Sequence, residues 1–88
     1  MRLKHTFEMM NLDDQTVAIP VGADANDFHG VIKLNETAAA IFEMLKEDNT
    51  EDAIVEAMLQ EYEVSRDVIS RDVSKYIRDF REKGLLIE

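Results

Sequence analysis

Between Gly30 and Leu45 a short apolar strand runs straight into a capped helix with no connecting loop, and this junction limits the possible folds more than any other segment. Val31 to Leu34 is apolar apart from Lys33 and begins with two β-branched residues, a composition suited to a strand. Asn35 can cap the helix that follows, and Glu36 falls in its first turn, near the positive end of the helix dipole. The strand must therefore end abruptly at Asn35. If it lies at the edge of a small sheet, it offers unpaired backbone donors and acceptors to any extended peptide that can lie beside it.

A chain of 88 residues makes one domain, spanning 1–88, with a single modest core and no room for a deep cavity between domains. It has no cysteine, so packing alone must hold it, as is usual in a reducing cytosol. Near the amino terminus His5, Thr6 and Glu8 interrupt every apolar run. Neither a signal peptide nor a membrane span is expected there, and the expected location is the cytoplasm. The formal net charge of −9 repels phosphate backbones, so nucleic acid is not an expected partner unless cations gather on one face. Residues 34–63 carry one cation, Lys46, against nine acids, whereas residues 64–88 carry six cations against five acids. An anionic partner would favour the last helix.

Phe7 to Leu12 and Thr16 to Val21 read as two strands joined by a turn at Asp13, Asp14 and Gln15. Pro20 keeps the second of these short. Gly22 to Gly30 reads as a loop leading into the third strand, Val31 to Leu34. Three helices follow. The first, about Glu36 to Lys46, buries Ala38, Ile41, Phe42 and Leu45. Thr50 caps the second, which runs to about Glu61 with Ala53, Ile54, Ala57, Met58 and Tyr62 inward. Ser65 caps the third, in which Ile69, Val73, Tyr76, Ile77 and Phe80 form the inner stripe until Gly84 permits a left-handed stop. Leu85 to Ile87 close as an apolar tail. The expected class is α+β: a three-stranded antiparallel sheet followed by three helices, in a winged-helix order.

Residues for catalysis are few. His5 and His29 stand beside no nucleophile arrangement, and each reads better as a surface or loop histidine. The segment Asp24 to Gly30 superficially resembles a calcium loop, but His29 and Asn35 occupy the positions that need glycine and glutamate. Zinc-ligand spacing is missing, and Gly22, Gly30 and Gly84 are too far apart for a phosphate-binding loop. Neither a catalytic residue, nor a metal, nor a cofactor is expected. Met44 and Met58 read as core packing, while Met9 and Met10 must point to opposite faces of their strand. On the third helix Arg71, Lys75 and Arg78 form a cationic ridge opposite the apolar stripe. They can pair at i,i+4 spacing, Asp67 with Arg71, Lys75 with Asp79 and Arg78 with Glu82, along a solvated face. Alternatively, part of the ridge borders a peptide groove. Val68 projects towards the same flank as Asp72, Lys75 and Tyr76.

Leu34-Asn35-Glu36-Thr37-Ala38-Ala39-Ala40-Ile41-Phe42, with Thr50 opening a helix, Tyr62-Glu63-Val64, Asp72-Val73 and Gly84-Leu85-Leu86, resembles the PqqD-like family over roughly Val31 to Ile87. The resemblance implies a winged helix-turn-helix arrangement and a noncatalytic recognition element for ribosomally made, post-translationally modified peptides. By that resemblance a precursor's leader peptide adds as a further strand beside the third strand, in a groove bounded by the third helix. The domain then presents it to a peptide-modifying enzyme, often a radical S-adenosylmethionine enzyme. On this chain the implied peptide-binding residues are Val31, Ile32, Lys33 and Leu34 with Val68, Arg71, Asp72, Lys75 and Tyr76. Phe42 stands where the family often has tryptophan, and Asn49 where it often has glycine. The competing reading is a winged-helix DNA-binding or regulatory domain that reads with the third helix, against which the acids on that helix count.

Overall fold

The computed structural model describes residues 1–22 and 30–88. The Asp24 to Gly30 comparison apart from Gly30, the expected Gly22 to Gly30 loop apart from its two end residues, and His29 lie outside the described residues. The elements are β1 (Arg2–Leu3), β2 (Phe7–Leu12), β3 (Gln15–Pro20), β4 (Ile32–Leu34), α1 (Glu36–Met44), α2 (Glu51–Glu61), α3 (Arg66–Glu82) and β5 (Leu86–Ile87). The main sheet has the order β2-β3-β4 and is antiparallel throughout, with Met10 opposite Val17 and Val17 opposite Lys33. A two-residue turn, Asp13-Asp14, closes β2 onto β3. Asp13 takes φ 42 there, in the left-handed region that aspartate tolerates better than most side chains.

Strand alternation puts Phe7, Ala18, Ile32 and Leu34 into the core beneath the helices, with Met9 packed against them. Met10, Val17, Ile19 and Lys33 belong to the other face. Each helix starts on the expected cap: Asn35 accepts from the Ala38 amide at 2.8 Å, Thr50 from Ala53 at 3.1 Å and Ser65 from Val68 at 3.4 Å. Phe42, fully buried, lies between Phe7 and Phe80 in edge-to-face contacts, with ring centroids 5.2 and 5.4 Å away. The aromatic at this position thus joins the sheet to α3.

Several boundaries differ from those read in the sequence. Val21 and Val31 lie outside the strands, and α1 stops at Met44 because Leu45 is its cap. On α2, Ala53 is exposed and Val55 is buried in its place, since the inward face is centred on Ile54, Val55 and Met58. The sequence reading also lacked a second sheet, in which β1 pairs with β5 through Arg2 opposite Ile87 and Leu3 opposite Leu86. A two-residue strand carries no periodic signal, so this pairing depends on contacts distant in sequence. The Leu3 amide donates to the Leu45 carbonyl at 2.8 Å and the Lys4 amide to the Leu85 carbonyl at 2.7 Å. What brings β5 there is the end of α3. The Leu85 amide donates to Phe80 and the Gly84 amide to Arg81, each at 3.0 Å, while Gly84 takes φ 74. This is a Schellman stop, and it turns Leu85 into the core against the last turn of α3.

Candidate functional site

Among the described residues β4 is an edge strand: one rim pairs with β3, and the other faces α3 across a narrow cleft of about 120 Å³. Ile32 to Asn35 form one wall, and Tyr76, Asp79, Phe80 and Lys83 the other, with Ala38 also in the lining. The sequence builds this opening simply. Asn35 ends β4 and starts α1 in a single residue, and the 3- and 4-residue spacing along α3 brings Tyr76, Asp79, Phe80 and Lys83 to one side. For scale, a cavity of about 150 Å³ holds one benzene, so the smaller cleft takes about one modest apolar side chain, with a guest backbone lying outside it along the rim.

Asn35 has two roles. Its Oδ1 caps α1, and its Nδ2 donates to the Tyr76 hydroxyl at 2.7 Å, tying α3 to the end of β4 and bounding the cleft there. Lys75 lies over the Tyr76 ring, its ammonium 5.5 Å from the centroid. A second depression of about 300 Å³, lined by Asp14, Gln15, Lys33, Leu34 and Asn35, continues from β4 towards the β2–β3 turn.

The structure brings Ile32, Lys33, Leu34 and Tyr76 together at the cleft. Ile32 and Leu34 turn their side chains into the core, leaving Lys33 as the exposed side chain of the strand, with Val31 52% exposed just before it. Val68, Arg71, Asp72 and Lys75 do not line the cleft; they lie on the helical turns before Tyr76. At about 100° per residue, Val68, Asp72, Tyr76, Asp79 and Lys83 fall within about 80° of one another, so Val68 and Asp72 extend the cleft-facing flank of α3. Lys75 borders that flank. Arg71 and Arg78 lie further round the helix. None of the i,i+4 pairs expected on this face is made: among the described residues the ion pairs are Met1 ammonium–Asp48, Glu43–Lys46, Glu56–Arg66 and Arg81–Glu88. The sequence reading missed Asp79, Phe80 and Lys83 as wall residues. Continuing the 3- and 4-residue spacing onward from Tyr76 was the signal that could have found them.

His5 is half-buried, with its ring edge-on to Phe7 at 6.3 Å. Among the described residues, no group of three or more histidines and carboxylates could hold a metal ion, and no helix is long and apolar enough to cross a membrane.

A sequence model of the family described as Coenzyme PQQ synthesis protein D (PqqD) matches residues 9–86. Two solved structures share the fold. One, described as TbiB1 in complex with the TbiA(beta) leader peptide, is 24% identical, with a TM-score of 0.73 over 98% of this chain and 94% of that one. The other, a lasso peptide synthetase B1 complexed with the leader peptide, is 24% identical, with a TM-score of 0.70 over 99% and 96%. No curated protein matches the chain.

Proposed function

The chain belongs to the PqqD family, and from that premise we propose that it binds the leader segment of a ribosomally made precursor peptide by strand addition and presents it to a peptide-modifying enzyme. The observation that carries this reading is the outer rim of β4, unpaired among the described residues and facing α3 across a narrow cleft. That two proteins of the same fold are described as leader-peptide complexes supports it. The peptide would pair with Val31 to Leu34 and lie against Tyr76, with the flank through Val68, Asp72 and Lys75 extending its path and Arg71 at the margin. The domain works by binding, and the chemistry belongs to the enzyme that receives the peptide, a radical S-adenosylmethionine enzyme in the form favoured here.

Energetics assign the specificity. A guest strand making about four backbone hydrogen bonds gains about 0.5 to 1.5 kcal/mol from each. A micromolar affinity requires about 8 kcal/mol, so side chains in the cleft must supply the remainder. Backbone pairing alone would accept almost any extended peptide.

Calorimetric titration with a synthetic leader peptide, taken from a short reading frame adjoining this chain's own, tests the proposal. A saturable isotherm in the micromolar range is expected, together with no mobility shift of duplex DNA at physiological salt. No heat with the peptide and a salt-dependent shift of DNA would replace this reading with the winged-helix alternative.

A further inference from the structure

The backbone groups that β4 leaves open follow from a hydrogen bond at the far end of the sheet. The Val21 amide donates to the Thr6 carbonyl at 3.1 Å, in the same register as the β2–β3 pairs. Bonded and unbonded pairs alternate along an antiparallel ladder, so Ile19, Val17 and Gln15 also turn their backbone bonds towards β2. Thr16 and Ala18 turn theirs towards β4, where Leu34 and Ile32 are their partners. Pro20, which has no N–H to give, falls on that side just where the pairing with β4 stops. The N–H and C=O of Lys33, and of Val31 before it, are therefore the groups on the outer rim.

Among Val31 to Leu34 only Lys33 is charged, and its exposed side chain stands on the outer face of the sheet, in a row with Val17 and Met10. Among the described residues Lys33 makes no ion pair. Two carboxylates share hollows with it. Asp79 belongs to α3, on the side of the strand that Ile32 and Leu34 face, and Asp14 to the β2–β3 turn; neither pairs with Lys33. A guest residue level with Lys33, whichever way the guest chain runs, turns its side chain to the same face, with the two Cα atoms about 5 Å apart. The guest residues on either side of it turn towards α3 and the cleft.

We infer that the leader peptide carries an aspartate or glutamate level with Lys33, an inference that rests on the strand addition proposed above. Backbone bonds alone cannot hold a register. A guest that slides by one residue turns its side chains to the wrong faces, but one that slides by two remakes every backbone bond. Only side chains oppose that second slide. Between neighbouring strands an opposite-charge pair is favourable and a like-charge pair unfavourable, so Lys33 decides which segment of the leader pairs and how far along the rim it sits. The recognised segment thus has a carboxylate on the outer face, with the side chains one residue before and after it directed at the cleft.

The test uses the full isotopically labelled chain and the synthetic leader peptide from the adjoining reading frame. Nuclear Overhauser contacts to the Lys33 amide identify the peptide residue level with it, which should be acidic. Three versions of the peptide, with glutamate, glutamine or lysine there, are then titrated by calorimetry at low salt. The glutamate version should bind about threefold more tightly than the glutamine version and about tenfold more tightly than the lysine version. High salt should narrow the gap. Lys33→Glu should reverse the order, and should that variant fold poorly the three titrations of the unmodified chain still decide. A basic residue level with Lys33, equal affinities for the three versions, or an unchanged order in folded Lys33→Glu would overturn the inference while leaving strand addition in place. A leader peptide that fails to bind, or binds without contact at the Lys33 amide, would retract strand addition and the charge rule with it, so the two failures are distinct.

Discussion

Asn35 is the residue on which strand, helix and cleft converge. It caps α1 through Oδ1 and holds Tyr76 through Nδ2, so Asn35→Ala removes both interactions. A lost cap costs about 0.5 to 2 kcal/mol. The hydrogen bond to Tyr76 is exposed and falls at the lower end of about 0.5 to 1.5 kcal/mol. Urea unfolding should therefore show Asn35→Ala to be clearly more destabilising than Tyr76→Phe, and near-equal effects would mean that the cap contributes little. Phe42, between Phe7 and Phe80, is the residue whose truncation should cost most. Phe42→Ala is expected to lose about 3 to 5 kcal/mol, a large part of what a domain this size possesses. A loss near 1 kcal/mol by the same measurement would show that the core closes over the missing ring.

At the scale of elements, the stop after α3 places the carboxyl-terminal segment. Gly84 has φ 74, where a Cβ is disfavoured by about 1 to 2 kcal/mol, although the space around it is open. Gly84→Ala should lower stability by about that amount and increase exchange of the Lys4 amide, which bonds to Leu85. Hydrogen exchange unchanged at Lys4 would separate the stop from the β1–β5 pairing. α2 and α3 are linked by Arg66, whose hydrogen bond and then charge hold the Glu56 carboxyl below the usual glutamate range. A depressed carboxylate pKa contributes stability that is present above the unfolded-state value and lost as pH falls through the folded-state value. Arg66→Ala should thus return Glu56 to the usual range in a carboxyl NMR titration and remove the share of the acid-window pH dependence that Glu56 contributes, leaving that of Asp48 and Glu88. Glu56 and Arg66 are both exposed, so the effect on stability near neutrality is small.

The same scale shows what the sequence made legible. β2 and the three helix starts were readable because period-2 and 3.6-residue patterns and side-chain caps are local signals. β1 and β5 were not, because two residues hold no period and their pairing is fixed by the fold of everything between them. The site was half legible for the same reason. The edge strand announces itself at Asn35, but which turns of α3 face it depends on how the helix packs, and the structure moves the cleft wall towards Asp79, Phe80 and Lys83.

At the scale of the whole molecule, a small core holds a three-stranded sheet whose strand β4, an edge strand among the described residues, stands beside a helix. A bound guest chain is expected to extend the sheet at β4. Amide hydrogen exchange of the chain with and without the synthetic leader peptide tests this most directly. Slowed exchange and shifted resonances are expected at residues 31–34, with smaller changes at Tyr76, Asp79 and Lys83. Protection confined to β2 or to the Arg71 and Arg78 face of α3, with the β4 amides unaltered in a peptide-saturated sample, would contradict it.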